Sequence, residues 1–317
     1  MRDITAHMKW QNIIENVWRF QDSCNVYAVR GPDGLIMINA GTGAWLKKLG
    51  DLPIKPSAIL LTHYFRDHAA GAVLAAQSGI PIYCAEYDQD ILCDPQQHFR
   101  ERETYIIYDN LWDLFAPIEP IDIAGVMLDY STTPLAGLDI QAIPLPGVTM
   151  SHTGYGVTLG GRRIIFCGEA IHSPGRLARI TPLQYNYNDL PGVINCYYSA
   201  QVLRDDPPDA LMPSLGEPIL EQTDVALEQL QTNLQFLAER RPDADQQFAA
   251  VHHDKLIKIS DHVWRCANSN AQIHFIISDS DSGKAMAIDY GYSWANIGFQ
   301  AYSKPARRRA FKRTDST

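Results

Sequence analysis

The stretch LLTHYFRDHAAGA, residues 61–73, sets His63, Asp67 and His68 directly behind the apolar run Ala58 to Leu61. A strand that delivers imidazole and carboxylate groups into a loop and a first helical turn is a common way to gather ligands for a divalent metal. Phe65 interrupts this pattern. It lies two residues after His63, where an extended backbone aims both side chains the same way. A phenyl ring in a ligand shell cannot bind metal, so the rest of the chain must supply what is missing.

The elements that position this stretch read as runs of strands with helices interspersed, an α/β or α+β class with packed layers. Residues 13–38 read as three strands, with Gly31-Pro32-Asp33-Gly34 as the hairpin turn between the last two. A helical segment near 43–50 precedes the strand at 57–62. HAAGAVLAAQSG reads as a helix stopped by Gly79, and IPIYCAEYD as the strand after it. Residues 97–112 read as helical. Alternation returns in AGVMLDYS and LDIQAIPLPG, and two more strands flank Gly160-Gly161. PGVINCYYSAQVLRDD reads as a helix, DALMPSLG as a strand and loop. A last amphipathic helix carries Leu227, Leu230, Leu234 and Leu237 along one face.

The 317 residues, 46% hydrophobic and 20% charged, are enough for a full core and suit a globular protein. A net charge of −9 argues against nucleic acid as the main partner. The local exception is KPARRRAFKR, Lys304 to Arg313, read as a solvated, disordered tail. No apolar stretch has signal-peptide or membrane-spanning character, so no membrane is expected. Cys24, Cys84, Cys93, Cys167, Cys196 and Cys266 form no CxxC pair, and free thiols in a reducing cytoplasm are expected.

The chain also echoes itself. ENVWRF (15–20) returns as DHVWRC (261–266), and IMINAGTGAW (36–45) returns as MAIDYGYSW (286–294). Matching order and tryptophan placement favour repetition over chance. The expected organisation is a main domain over 1–245, a partial second repeat of strands over 246–299, and the basic tail over 300–317. Strands of such a half-repeat are expected to pack on the first domain or a second chain, with a homodimer favoured.

Taken in order, the segments IMINAG, THYFRDH, PLPGVTMSHTGY, IIFCGEA and LMPSLGEP resemble the metallo-β-lactamase superfamily over residues 10 to 242. The resemblance implies a four-layer αβ/βα sandwich with a metal site at one edge between two sheets. His63, Asp67 and His68 match the ligand pattern. Glu169 stands where the pattern has a bridging aspartate, and Phe65, Val148 and Leu215 stand where it has histidines. The three-histidine site then keeps only His63, while the second site keeps Asp67, His68 and Glu169. His152, four residues beyond Val148, is a candidate replacement. His172 is a weaker one. His252-His253-Asp254 lies beyond the resemblance and reads as a solvated loop.

The expectation is at most one divalent metal, held by Asp67, His68 and Glu169 with His63 or His152; zinc leads, and manganese or iron also suits the mixed oxygen and nitrogen set. Two functions follow. One is a weak mononuclear hydrolase of a small-molecule ester, thioester, lactone, β-lactam or phosphoester, with Asp67 orienting or deprotonating the water. Tyr185, Tyr187, Tyr197 and Tyr198 are candidates for lining its pocket, or for ordinary packing. The other is a non-catalytic member that has lost its metals, in which Phe65, Val148 and Leu215 line an apolar cavity or pack it shut.

Overall fold

The computed structural model describes residues 9–101, 115–178, 191–238, 256–266, 273–278 and 285–288. The chain divides into two compact units, Met1–Phe236 and Leu237–Thr317.

The first unit opens with an antiparallel meander, β1 (Gln11–Ile14), β2 (Val17–Gln21), β3 (Asn25–Arg30) and β4 (Leu35–Ile38). The first of the three strands read over 13–38 is in fact two. The chain reverses at Asn16, whose φ of 63° lies in the left-handed region that asparagine tolerates, and Trp18 comes to face Asn12. β4 then pairs in parallel with β5 (Pro56–Leu60), which requires a crossover. The crossover runs through a 3-10 segment, Ala44–Asp51, whose Trp45 is completely buried. After β5 come α1 (Arg66–Ala69), α2 (Gly71–Gln77), β6 (Ile82–Ala85), α3 (Gln89–Cys93), α4 (Pro95–Glu101) and β7 (Ile123–Met127). The seven strands lie in sequence order, β4 to β7 parallel.

The second sheet has the order β12-β11-β10-β9-β8 and is built from β8 (Thr132–Leu135), β9 (Leu138–Pro144), β10 (Thr153–Leu159), β11 (Arg162–Gly168) and β12 (Ala210–Pro213). β8 escaped the sequence reading because Pro134 breaks its pattern; it sits at the sheet edge, where proline is tolerated. α5 (Pro191–Asp205) precedes β12 and α6 (Thr223–Ala238) follows it. Leu227, Leu230 and Leu234 of α6 are buried as expected, but Leu237, in the last turn, is 53% exposed.

Strand alternation divides the core. On β3, Tyr27 and Val29 join Ile36, Ile38 and Leu60 in a cluster with Ile140, Tyr155, Val157, Ile164 and Phe166 of the second sheet. Val26 and Ala28 face the other way, into a cluster with Trp45, Leu61, Ala69, Ala72 and Ala75 beneath the helices. The architecture is the four-layer αβ/βα sandwich, and the loops that leave β5, β11 and β12 converge at one edge.

The second unit holds an antiparallel sheet of β13 (Leu256–Lys258), β14 (Val263–Cys266), β15 (Ile273–Ile277) and β16 (Ala285–Ile288). Its register follows that of β1 to β4. Trp264 stands between Lys258 and Phe275, and Phe275 faces Ala287. In the first meander Trp18 stands between Asn12 and Ala28, and Ala28 faces Met37. The likeness is one of topology and register; descent of one from the other remains a proposal. Outside the described residues fall 102–112 of the expected helix, Tyr185 and Tyr187, His252-His253-Asp254, residues 289–294 of the echo, and the basic tail. No helix of the described residues is long and apolar enough to cross a membrane.

Candidate metal centre

Three donors meet at the edge where the sheets converge. His63 follows β5, His68 lies in α1, and Glu169 follows β11; their ligand atoms all lie within 4.8 Å of one another, the one such group among the described residues. Glu169 Oε1 is 3.4 Å from His63 Nε2 and 3.7 Å from His68 Nε2. A tetrahedron with bonds of about 2.0–2.1 Å has edges of roughly 3.3–3.4 Å, so these spacings suit a shared ion.

Hydrogen bonding aims both rings. Asn39 Oδ1 accepts from Thr62 N (2.9 Å) and from Thr62 Oγ1 (3.0 Å). That uses the hydroxyl's one proton, so His63 Nδ1, 3.0 Å away, must donate to Thr62 Oγ1. The lone pair of His63 is thereby placed on Nε2, which is buried and has no hydrogen-bond partner. Burial, with His68 beside it, pushes the His63 ring down to about 3, so it is neutral at ordinary pH. On His68, Nδ1 lies 2.9 Å from Asp67 Oδ1, and an ionised carboxylate only accepts. With Nδ1 engaged by Asp67, Nε2 is the His68 nitrogen left to face the common point. Two imidazole nitrogens and a carboxylate that face one another at these distances fit a cation. The orphaned Nε2 of His63 is the observation that tests that fit.

The structure places Asp67 and His152 beside the three donors rather than among them. Asp67 is not one of the three donors; it backs His68 from behind, as outer-shell carboxylates do for metal-binding imidazoles. His152 is buried beside His63, ring centroids 5.3 Å apart, but both its nitrogens are engaged. Nδ1 donates to Leu145 O at 2.6 Å, and Nε2 accepts from Glu169 N at 3.1 Å. Burial holds this ring down at about 4, so it stays the neutral acceptor that this bond needs. His152 thus positions Glu169. It also dictates Gly168, since a Cβ there would lie 2.1 Å from Nε2, on a backbone already at φ +55°. His172 bonds to Ser173 Oγ and stays outside the group.

Phe65 and Val148 are each 2% exposed and belong to the core cluster beneath the helices, with Leu215 packed against it. Positions 65, 148 and 215 are thus filled by apolar side chains packed into one cluster. Tyr197 and Tyr198 are buried in α5, ring against ring at 5.2 Å.

One residue was missed. Ser214, next to Leu215, puts Oγ 2.8 Å from His68 Nε2. A loop serine carries no signature of its own, and the sequence reading weighed only position 215. Its loop is held to the other sheet by Asn25, whose Nδ2 donates to Pro213 O (3.0 Å) and Gly216 O (2.7 Å), and by Tyr27 OH, which donates to Pro213 O (2.7 Å).

Comparison with known proteins bears on the whole arrangement. The family model of the metallo-beta-lactamase superfamily matches residues 19–214. Among solved structures, a subclass B3 metallo-β-lactamase of Bradyrhizobium japonicum is similar with a TM-score of 0.56 and 18% identity, over 80% of this chain and 99% of that one. A Cronobacter sakazakii metallo-β-lactamase with a HARLDQ motif is similar with a TM-score of 0.54 and 20% identity, over 74% of this chain and 93% of that one. A hydroxyacylglutathione hydrolase of Serratia proteamaculans (strain 568) is 27% identical over 132 residues, 41% of this chain. The match spans 39% of that relative's length.

Proposed function

The chain belongs to the metallo-β-lactamase superfamily, and from that premise we propose that it is a hydrolase working with one divalent metal held by His63, His68 and Glu169. The observation that carries this reading is the convergence of three electron-pair donors, one of them the buried, unpartnered Nε2 of His63. Zinc leads as the metal, with manganese or iron also suited to two nitrogens and an oxygen. When bound, such an ion supplies Lewis acidity, which brings a water's pKa towards neutrality and polarises a scissile carbonyl or phosphoryl oxygen.

The protein's own part is orientation. Thr62 and Asn39 keep the His63 proton on Nδ1, and Asp67 keeps the His68 proton on Nδ1. His152 fixes the Glu169 backbone, and with it the carboxylate that faces both rings. Glu169, facing both rings, would take a proton from a water there, and Asp67, with Oδ1 against His68 Nδ1, is the second candidate for that role. The similar Cronobacter protein is named for a motif, HARLDQ, that shares its first histidine and its aspartate with HYFRDH here. The proposed substrate is an activated acyl compound, a thioester, ester, lactone or β-lactam, with a phosphoester as the further option. The name of the Serratia relative supports an acyl compound.

Elemental analysis of protein purified without chelator tests the reading. One equivalent of metal, with hydrolysis of an activated ester that a chelator abolishes, is expected. Two equivalents would contradict the single-metal centre. A second reading, a non-catalytic member of the family, is favoured by the complete filling of positions 65 and 148. No metal uptake after zinc reconstitution would select it.

A further inference from the structure

The hydroxyl of Ser214 is the polar group at this edge that the ligand pattern leaves unexplained. Ser214 is 1% exposed, and its backbone is held on both sides: N donates to Gly168 O and the carbonyl accepts from Asn25 N, each at 2.7 Å. Its Oγ therefore has little to do but rotate about Cα–Cβ, 2.8 Å from His68 Nε2. A serine hydroxyl carries one proton and two lone pairs. With His68 Nδ1 directed at Asp67 Oδ1, Nε2 is the acceptor towards Ser214, so the hydroxyl proton lies between Oγ and that nitrogen and the oxygen keeps both its lone pairs.

The line Asp67, His68, Ser214 has the look of a nucleophilic triad. The surroundings argue otherwise. The Glu169 carboxylate lies 3.7 Å from the same Nε2, so an anion forming on an acylated Ser214 would meet negative charge where stabilising N–H donors are needed. A carboxylate and two imidazole nitrogens, with a hydroxyl oxygen 2.8 Å from one of those nitrogens, suit a cation instead.

Resting on the metal centre proposed above, we propose that Ser214 Oγ is its fourth protein donor, standing in for the imidazole lost at Leu215. Without metal the hydroxyl gives its proton to the hydrogen bond with His68 Nε2. With metal bound, the same proton would stay on the hydroxyl but leave the hydrogen bond with His68, so that Nε2 and an oxygen lone pair of Ser214 would both be available to the ion. No bond to hydrogen is broken.

Cobalt(II) reads this out without any assay of activity. Ser214→Cys, loaded with one equivalent of Co²⁺, should gain a thiolate-to-cobalt charge-transfer band in the near ultraviolet beyond anything seen with the wild type. Ser214→Ala should still bind one equivalent, with affinity lower by about 10- to 100-fold in chelator competition, the range that supporting groups of metal sites command. A Ser214→Cys protein that binds cobalt without gaining the band overturns the proposal, as does a Ser214→Ala protein that binds as tightly as the wild type or more tightly. Either result leaves the three-residue centre standing. A wild type that binds neither cobalt nor zinc overturns both.

Discussion

Each imidazole of the centre takes its direction from the residue before it in the chain, Thr62 for His63 and Asp67 for His68. Asp67→Ala should therefore keep the fold but lower metal affinity by about 10- to 100-fold in chelator competition; unchanged affinity would show that His68 needs no such partner. Phe65→His makes the converse case. Position 65 lies in an apolar cluster, so the new ring is expected to cost about 1–3 kcal/mol and to bring no second metal while Val148 remains. Only Phe65→His with Val148→His should raise metal content, read by elemental analysis. A different buried carboxyl governs pH dependence. Asp88 is fully buried, with Oδ1 accepting from Ser151 Oγ and Oδ2 lacking a partner. Burial pushes it up to about 7 from an ordinary 3.8. The folded state then holds this proton more tightly than the unfolded chain does, so its contribution to stability is complete at low pH and is lost as pH rises from about 4 through 7. Asp88→Asn should flatten that decline and melt higher than the wild type at pH 8. Parallel melting curves across pH would rule this out.

At the level of elements, the loop from β11 is the most constrained piece. Gly168→Ala forces a Cβ against His152 Nε2 and should cost about 1–3 kcal/mol in denaturant unfolding, with weakened metal binding, because His152 releases the Glu169 backbone as it moves. Much of the scaffold was legible in advance. Val26 to Val29 alternate between two clusters, and period-2 alternation is what a strand between two layers must write into its residues. The turn at Asn16 and the edge strand at Pro134 were not legible, since each depends on a backbone conformation or a sheet position that a residue type only permits. The centre divides the same way. Its imidazoles and carboxylates stand out in the sequence by type, but which nitrogen is already taken is decided by Leu145, Glu169 N and Thr62, partners brought in by folding. Hence His152 read as a ligand and Ser214 went unread.

At the level of the molecule, the second unit is the less self-sufficient. None of its described residues is fully buried, and Ile257, Ile259, Met286 and Ile288 are 38–58% exposed. Apolar strands in that condition gain by association. Truncation at about Asp254 is expected to leave the first unit folded and to change the mass seen by size-exclusion chromatography; a full-length chain and a truncated one that are both monomers and equally soluble would show the second meander to be dispensable. The first unit has a different property at this scale. His63 and His68 hang from the seven-stranded sheet, Glu169 and Ser214 from the five-stranded one. An ion shared by them would rivet two layers that otherwise touch through side chains and a few crossing bonds, such as Thr153 N to Thr62 O and Asn25 N to Ser214 O. The two amides in those bonds would then act as gauges of how often the sandwich breathes, exchanging with deuterium slowly when the rivet is in place and faster once a chelator has drawn it.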